Sequence, residues 1–157
     1  MSHLVDLKTQ VTDRIALIRA LERAEMGFKG KVEQFDKAVN IKSSYDSTYK
    51  KANIVVRSKN TGINADMGWE EVRDANGRVS FVQHVDEYHY HGAPCYDKTW
   101  QNKLYTYYGV EKSKLELEKR KIQYTEDKDP AGRPRIVARF TNLAQEQNMV
   151  SAGRFRR

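Results

Sequence analysis

The sequence predicts an α+β fold: a mostly antiparallel sheet with two helices packed on one face, in the order β-α-β-β-β-α-β-β. Three observations predict it. Ile15, Leu17, Ile18, Leu21 and Ala24 recur at helical spacing. The segments 66–73 and 78–85 flank Asp74-Ala75-Asn76-Gly77, a hairpin signal. A second helical stripe, Trp100, Leu104 and Tyr107, runs on towards a second hairpin around Pro130-Ala131-Gly132. Strands and helices mix without strict βαβ alternation, and an antiparallel sheet is the simplest way to bury both.

The elements follow in order. Residues 3–11 suit a short strand. Thr12 or Asp13 can cap a helix over about 13–26, and Gly27 is a natural stop, because glycine accepts the left-handed conformation. In 28–60, Phe28, Val32 and Phe35 fit a strand or an irregular crossing. Ser43, Ser44, Asp46 and Ser47 suggest a loop, and 53–57 reads as a buried, β-branched strand. In the first hairpin Asn76-Gly77 is expected to supply positive φ angles, with Val79, Phe81 and Trp69 facing the core. The second helix begins near Asp97, with Gly109 as a candidate kink. Leu115 and Ile122 continue its apolar stripe, while Glu111, Lys112, Lys114, Glu116, Glu118 and Lys119 are expected in water. In the last hairpin Ile136, Ala138 and Phe140 alternate with Val137 and Arg139. The expected organisation is one domain over 1–142 and a basic tail over 143–157.

The 157 residues carry a net charge of +7, distributed unevenly. The balance is +5 over residues 1–60, −5 over 61–97 and +7 over 98–157. Basic surface attracts nucleic acid, anionic membrane or acidic protein. No long apolar stretch is present, so neither a secretory leader nor a membrane span is expected. The single cysteine, Cys95, excludes an intrachain disulfide and suits a reducing compartment such as the cytoplasm.

Several segments together resemble one family. Met1-Ser2-His3 with Lys8-Thr9, Asp13 and the Leu17/Leu21 helix resembles the start of the hypothetical chloroplast reading frame thirty-five family. Asp66-Met67-Gly68-Trp69 resembles its aspartate, apolar residue, glycine, tryptophan strand. Tyr107-Tyr108-Gly109-Val110 to Ile122 resembles its tyrosine-rich helix, and Pro134 to Phe140 its final strand. The similarity covers roughly 1–27, 63–85 and 97–141. The chain departs from the pattern by a longer 36–60 and an insertion at 86–97. This is a domain family of unknown function, found in plastids, cyanobacteria, other bacteria and some viruses. The resemblance therefore implies the fold, admits plastid stroma as a compartment, and brings no catalytic residues with it.

Two constellations carry chemistry. His84, His89, His91 and Cys95 offer imidazole and thiolate, the usual ligands of zinc. Alternation of His89 and His91 with Tyr88 and Tyr90 equally describes a half-buried strand with a polar face. The second is basic: Lys112, Lys114, Lys119, Arg120 and Lys121 on the second helix, Arg133, Arg135 and Arg139 on the last hairpin, and Arg154, Arg156 and Arg157 in the tail. Such a face binds phosphates. Tyr105, Tyr107, Tyr108 and Tyr124 are candidate stacking platforms for bases wherever they are exposed, with Tyr107 expected in the core. No phosphate loop, nucleophile elbow, zinc knuckle or RNA-recognition signature appears. The expectation is a non-enzymatic binding protein, with RNA or single strands as ligand. The alternatives are a protein–protein adaptor that uses the acidic hairpin and the His/Tyr-rich insert, and a metal-binding protein.

Overall fold

The computed structural model describes residues 4–43, 49–87, 90 and 95–140. The first strand, β1 (Leu4–Lys8), leads into α1 (Arg14–Leu21). Asp13 caps the helix: its carboxylate accepts from the Ala16 amide at 3.1 Å, satisfying one N–H that has no partner within the helix. Ala16, Leu17, Ala20 and Leu21 are its buried face. The helix is shorter than expected. The chain turns from Leu21 to Gly27, which has φ 83° and donates to the Arg23 carbonyl at 2.9 Å.

There follow β2 (Val32–Lys42), β3 (Tyr49–Val56), a single helical turn α2 (Ser58–Thr61), β4 (Met67–Arg73), β5 (Val79–Asp86), α3 (Lys98–Lys119), β6 (Gln123–Lys128) and β7 (Pro134–Arg139). The fold is α+β, as the sequence predicts, with β2 as an added strand. The register of β2 on β3 shifts between Gln34 and Val39. Val32, Phe35, Val39 and Ile41 therefore do not keep the spacing of two that marks a strand. Asn53 spans the irregularity. Its amide donates to the carbonyls of Phe35 and Asp36, both at 3.2 Å, and its oxygen accepts from the Glu71 amide at 2.9 Å. In the β4–β5 turn, positive φ falls on Gly77 alone among its residues. Asp74 closes this longer loop by accepting from the amides of Asn76 and Arg78.

The chain divides into two compact units, Met1–Tyr108 and Gly109–Arg157. α3 contributes to both and runs unbroken through Gly109. It is no membrane span: among the described residues no helix is long and apolar enough to cross a bilayer.

The first unit is a five-stranded antiparallel sheet, ordered β1-β5-β4-β3-β2. Ile54, Trp69 and Gln83 lie side by side on the face that meets the helices. There the Trp69 indole donates to the Tyr105 hydroxyl at 3.3 Å, and that hydroxyl donates to Gln83. Burial raises the pKa of Tyr105, which keeps it a donor. The Tyr108 hydroxyl accepts from the amides of Thr12 and Asp13, both at 3.1 Å, and fixes the start of α1 to α3.

The opposite face is covered by the sheet itself. β1 and β3 are separated by two strands, a span of roughly 14 Å in a flat sheet. Yet Leu4 packs with Ile41, Ala52 and Val55, and Lys50 Nζ lies 3.5 Å from Asp6 Oδ1. The β2–β3 arm thus folds back over β4 and β5. Gly68 makes room for it: a Cβ there would stand 2.5 Å from Ala52 Cβ and 3.0 Å from Ile41 Cδ1. Gly68→Ala is expected to cost about 1–3 kcal/mol by overpacking. In an Ala52→Gly background most of that penalty should vanish. Urea midpoints of the four proteins check this; an equal penalty in both backgrounds would show that the arm does not cross at Gly68.

The neighbouring Asp66 is 5% exposed and anchors the turn before β4. It accepts from the Ser58 amide at 2.8 Å and the Lys42 amide at 3.2 Å, with Arg57 Nη1 at 3.4 Å. Asp66, Gly68 and Trp69 therefore each hold the fold together.

In the second unit β6 and β7 form their own two-stranded sheet, a hairpin separate from the main one. Leu117 and Ile122 form its small core with Tyr124, Ile136, Ala138 and Phe140. The stripe expected at Leu115 falls on Leu117, because Leu117 is the residue that packs against the hairpin. Glu111, expected in water, is 6% exposed and accepts from Lys114 at 3.1 Å. Lys114 also pairs with Glu126. Burial works to lower the Lys114 pKa, but the hydrogen bonds it donates to Glu126 and Glu111 outweigh that and raise it.

Candidate nucleic-acid interface

The second unit holds most of the predicted basic residues, and local geometry sorts them. α3 ends by closing on itself. The Ile122 amide donates to the Leu117 carbonyl at 3.0 Å, and the Lys121 amide to Glu118 at 3.1 Å. Leu117 and Ile122 pack together beneath this turn. The pattern is a Schellman C-cap, which places the residue after the cap in the left-handed region, usually as glycine. Here that residue is Lys121, with φ 55°, the one non-glycine residue at positive φ among the described residues. A side chain there costs about 1 kcal/mol.

Lys119 and Lys121 are exposed at this turn. Gln123, two residues on, faces Arg139 across the hairpin, which brings Arg139 to the same end. Among the described residues none of Lys119, Lys121 and Arg139 forms an ion pair. Lys128, an exposed cation that the sequence does not single out, is likewise unpaired at the other end, beside the 129–133 turn.

The remaining basic residues are engaged. Arg133 Nε lies 2.7 Å from Asp129, and Arg135 meets Asp127 through two nitrogens at 2.7 and 2.8 Å. The hydrogen bond from Arg135 holds the Asp127 carboxyl below its ordinary range. Lys112 and Arg120 are half-buried and have interactions of their own. Arg154, Arg156 and Arg157 lie outside the described residues.

The tyrosines do not offer stacking platforms. Tyr107 and Tyr108 are buried, and Arg23 lies over the Tyr107 ring at 4.4 Å. Tyr105 is bonded inside the first unit. Tyr124 packs in the small core and donates to Glu118 at 3.0 Å. Among the described residues the exposed large apolar side chains are Ile15 and Val137. Val137 stands between Arg135 and Arg139 on the outer face of the hairpin, opposite Thr125.

Of the expected zinc ligands, His84 is buried on the arm-covered face of the large sheet. Its Nδ1 lies 2.7 Å from Asp6 Oδ1 and its Nε2 2.9 Å from Glu70 Oε1. The carboxylates meet opposite edges of the ring and share no central point. Cys95 is an exposed free thiol, and His89 and His91 lie outside the described residues. Among the described residues no group of three His, Cys, Asp or Glu side chains is placed to hold a metal ion.

No family model, curated protein or solved structure matches this chain.

Proposed function

We propose that this is a non-enzymatic nucleic-acid-binding protein that grips phosphates with Lys119, Lys121 and Arg139. The observation that carries the reading is Lys121. A cation stands where the helix cap favours glycine, between two more cations that no carboxylate among the described residues neutralises. Strain retained at one residue of an otherwise well-closed cap is the kind of cost that accompanies a binding role. Phosphate contacts release counterions, so binding by such a cluster weakens steeply with salt. The family resemblance stays a proposal beside it.

Fluorescence polarisation with mixed-sequence RNA, single-stranded DNA and duplex DNA, at low and moderate salt, tests the reading. Salt-sensitive binding is expected, and no binding of any probe at low salt would reject it. Lys121→Gly makes a sharper prediction. Relief of the left-handed lysine should raise stability by about 0.5–1 kcal/mol while affinity falls several-fold. Thermal unfolding and the same titration measure the two effects. A stabilised variant with undiminished affinity would leave Lys121 without a role in binding.

A further inference from the structure

We infer that the β6–β7 hairpin enters the major groove of B-form DNA and reads base edges with its outer face, an inference that rests on the nucleic-acid reading above. In the hairpin register Gln123 faces Arg139, Thr125 faces Val137 and Asp127 faces Arg135. Gln123, Thr125, Asp127, Arg135, Val137 and Arg139 are exposed, whereas the alternate residues Tyr124, Ile136, Ala138 and Phe140 turn to the small core. The result is a two-stranded ribbon with one packed face and one presented face. Such a ribbon fits the major groove of B-DNA, about 12 Å wide. At six residues per strand it runs roughly 20 Å.

The presented groups suit base edges. A guanidinium can meet the two guanine acceptors, a glutamine amide can pair with adenine, and the methyls of Val137 and Thr125 can meet the thymine methyl. Val137 is 39% exposed at the centre of a polar row, where solubility alone favours a polar side chain. The Asp127 carboxylate holds the Arg135 guanidinium in a fixed plane through two bonds. Lys119 and Lys121, which form no ion pair among the described residues, stand at one end of the ribbon, where phosphates would flank the groove. The inward-turned tyrosines argue against single strands, which are held by stacking. Duplex RNA is disfavoured because its major groove is too deep and narrow for side chains to read.

The test starts from a duplex DNA enriched from a random-sequence pool, compared at one salt concentration with its own single strand and with duplex RNA of the same sequence. The duplex DNA should bind more than tenfold tighter than either. Gln123→Ala leaves every cation in place and removes one base-reading amide. It should weaken duplex DNA binding about tenfold and leave both the single-strand affinity and the salt dependence unchanged. Equal affinity for the three probes, or a duplex affinity indifferent to Gln123→Ala, would overturn the groove inference. If the Lys119→Glu, Lys121→Glu, Arg139→Glu triple variant still lost binding in that case, the phosphate-gripping interface would stand without it. No binding of any probe by the wild-type protein would reject both.

Discussion

Trp69→Ala is expected to remove about 3–5 kcal/mol of stability. Trp69 is the largest fully buried side chain among the described residues, with no exposed surface. It stands in register with Ile54 and Gln83 at the middle of the sheet. Its truncation would open a cavity beneath α3 and remove the donor to Tyr105. Domains of this size hold only about 5–15 kcal/mol in all, so the loss takes a fifth or more of the reserve. Trp69→Phe keeps most of the ring and gives up the indole N–H. The Tyr105 hydroxyl still donates to Gln83, so about 1–2 kcal/mol is expected for this variant. Urea unfolding measures both. A Trp69→Ala midpoint equal to that of wild type would mean that the sheet centre is not the core of the first unit.

The features legible in the sequence are those written in local chemistry. Asp13 announces α1 as a capping residue, Gly77 marks the first hairpin, and Ile136, Ala138 and Phe140 display their alternation in the bare residue order. What stayed hidden depends on distant partners. β2 hides its alternation because Asn53, from another strand, supports the shift between Gln34 and Val39. The requirement for glycine at 68 comes from Ala52, on the neighbouring strand β3, once the arm folds over. Glu111 reads as a solvated helix residue until Lys114 and its burial are in view.

The candidate site divides in the same way. That residues 98–157 are strongly basic is plain from composition. Which charges remain free is not, because neutralisation follows the fold. Asp127 reaches Arg135 across the ribbon and Asp129 reaches Arg133 around the turn, so two of the three hairpin arginines are taken. Lys121 carries one signal that composition and charge do not convey. A helix stops at Lys119-Arg120-Lys121-Ile122 with no glycine to accept the left-handed position.

Charge reversal at the free cluster carries the second large effect. In the triple variant Lys119→Glu, Lys121→Glu, Arg139→Glu, three phosphate contacts become three repulsions. Affinity at low salt should fall on the order of a hundredfold or more. All three side chains are exposed and outside any ion pair with the described residues, so folding should be nearly unaffected. The control is Lys29→Glu, Lys31→Glu, Lys37→Glu, which changes the net charge equally at exposed positions of the first unit. If overall charge alone drew the nucleic acid, the two variants would lose affinity alike.

The most direct test is the slope of log affinity against log salt for the wild type and these two variants, by fluorescence polarisation on one duplex DNA. The account predicts a slope shallower by about three for the Lys119/Lys121/Arg139 variant and an unchanged slope for the Lys29/Lys31/Lys37 control. Equal slopes for the wild type and the Lys119/Lys121/Arg139 variant would contradict it, because phosphates would then be gripped elsewhere on the protein.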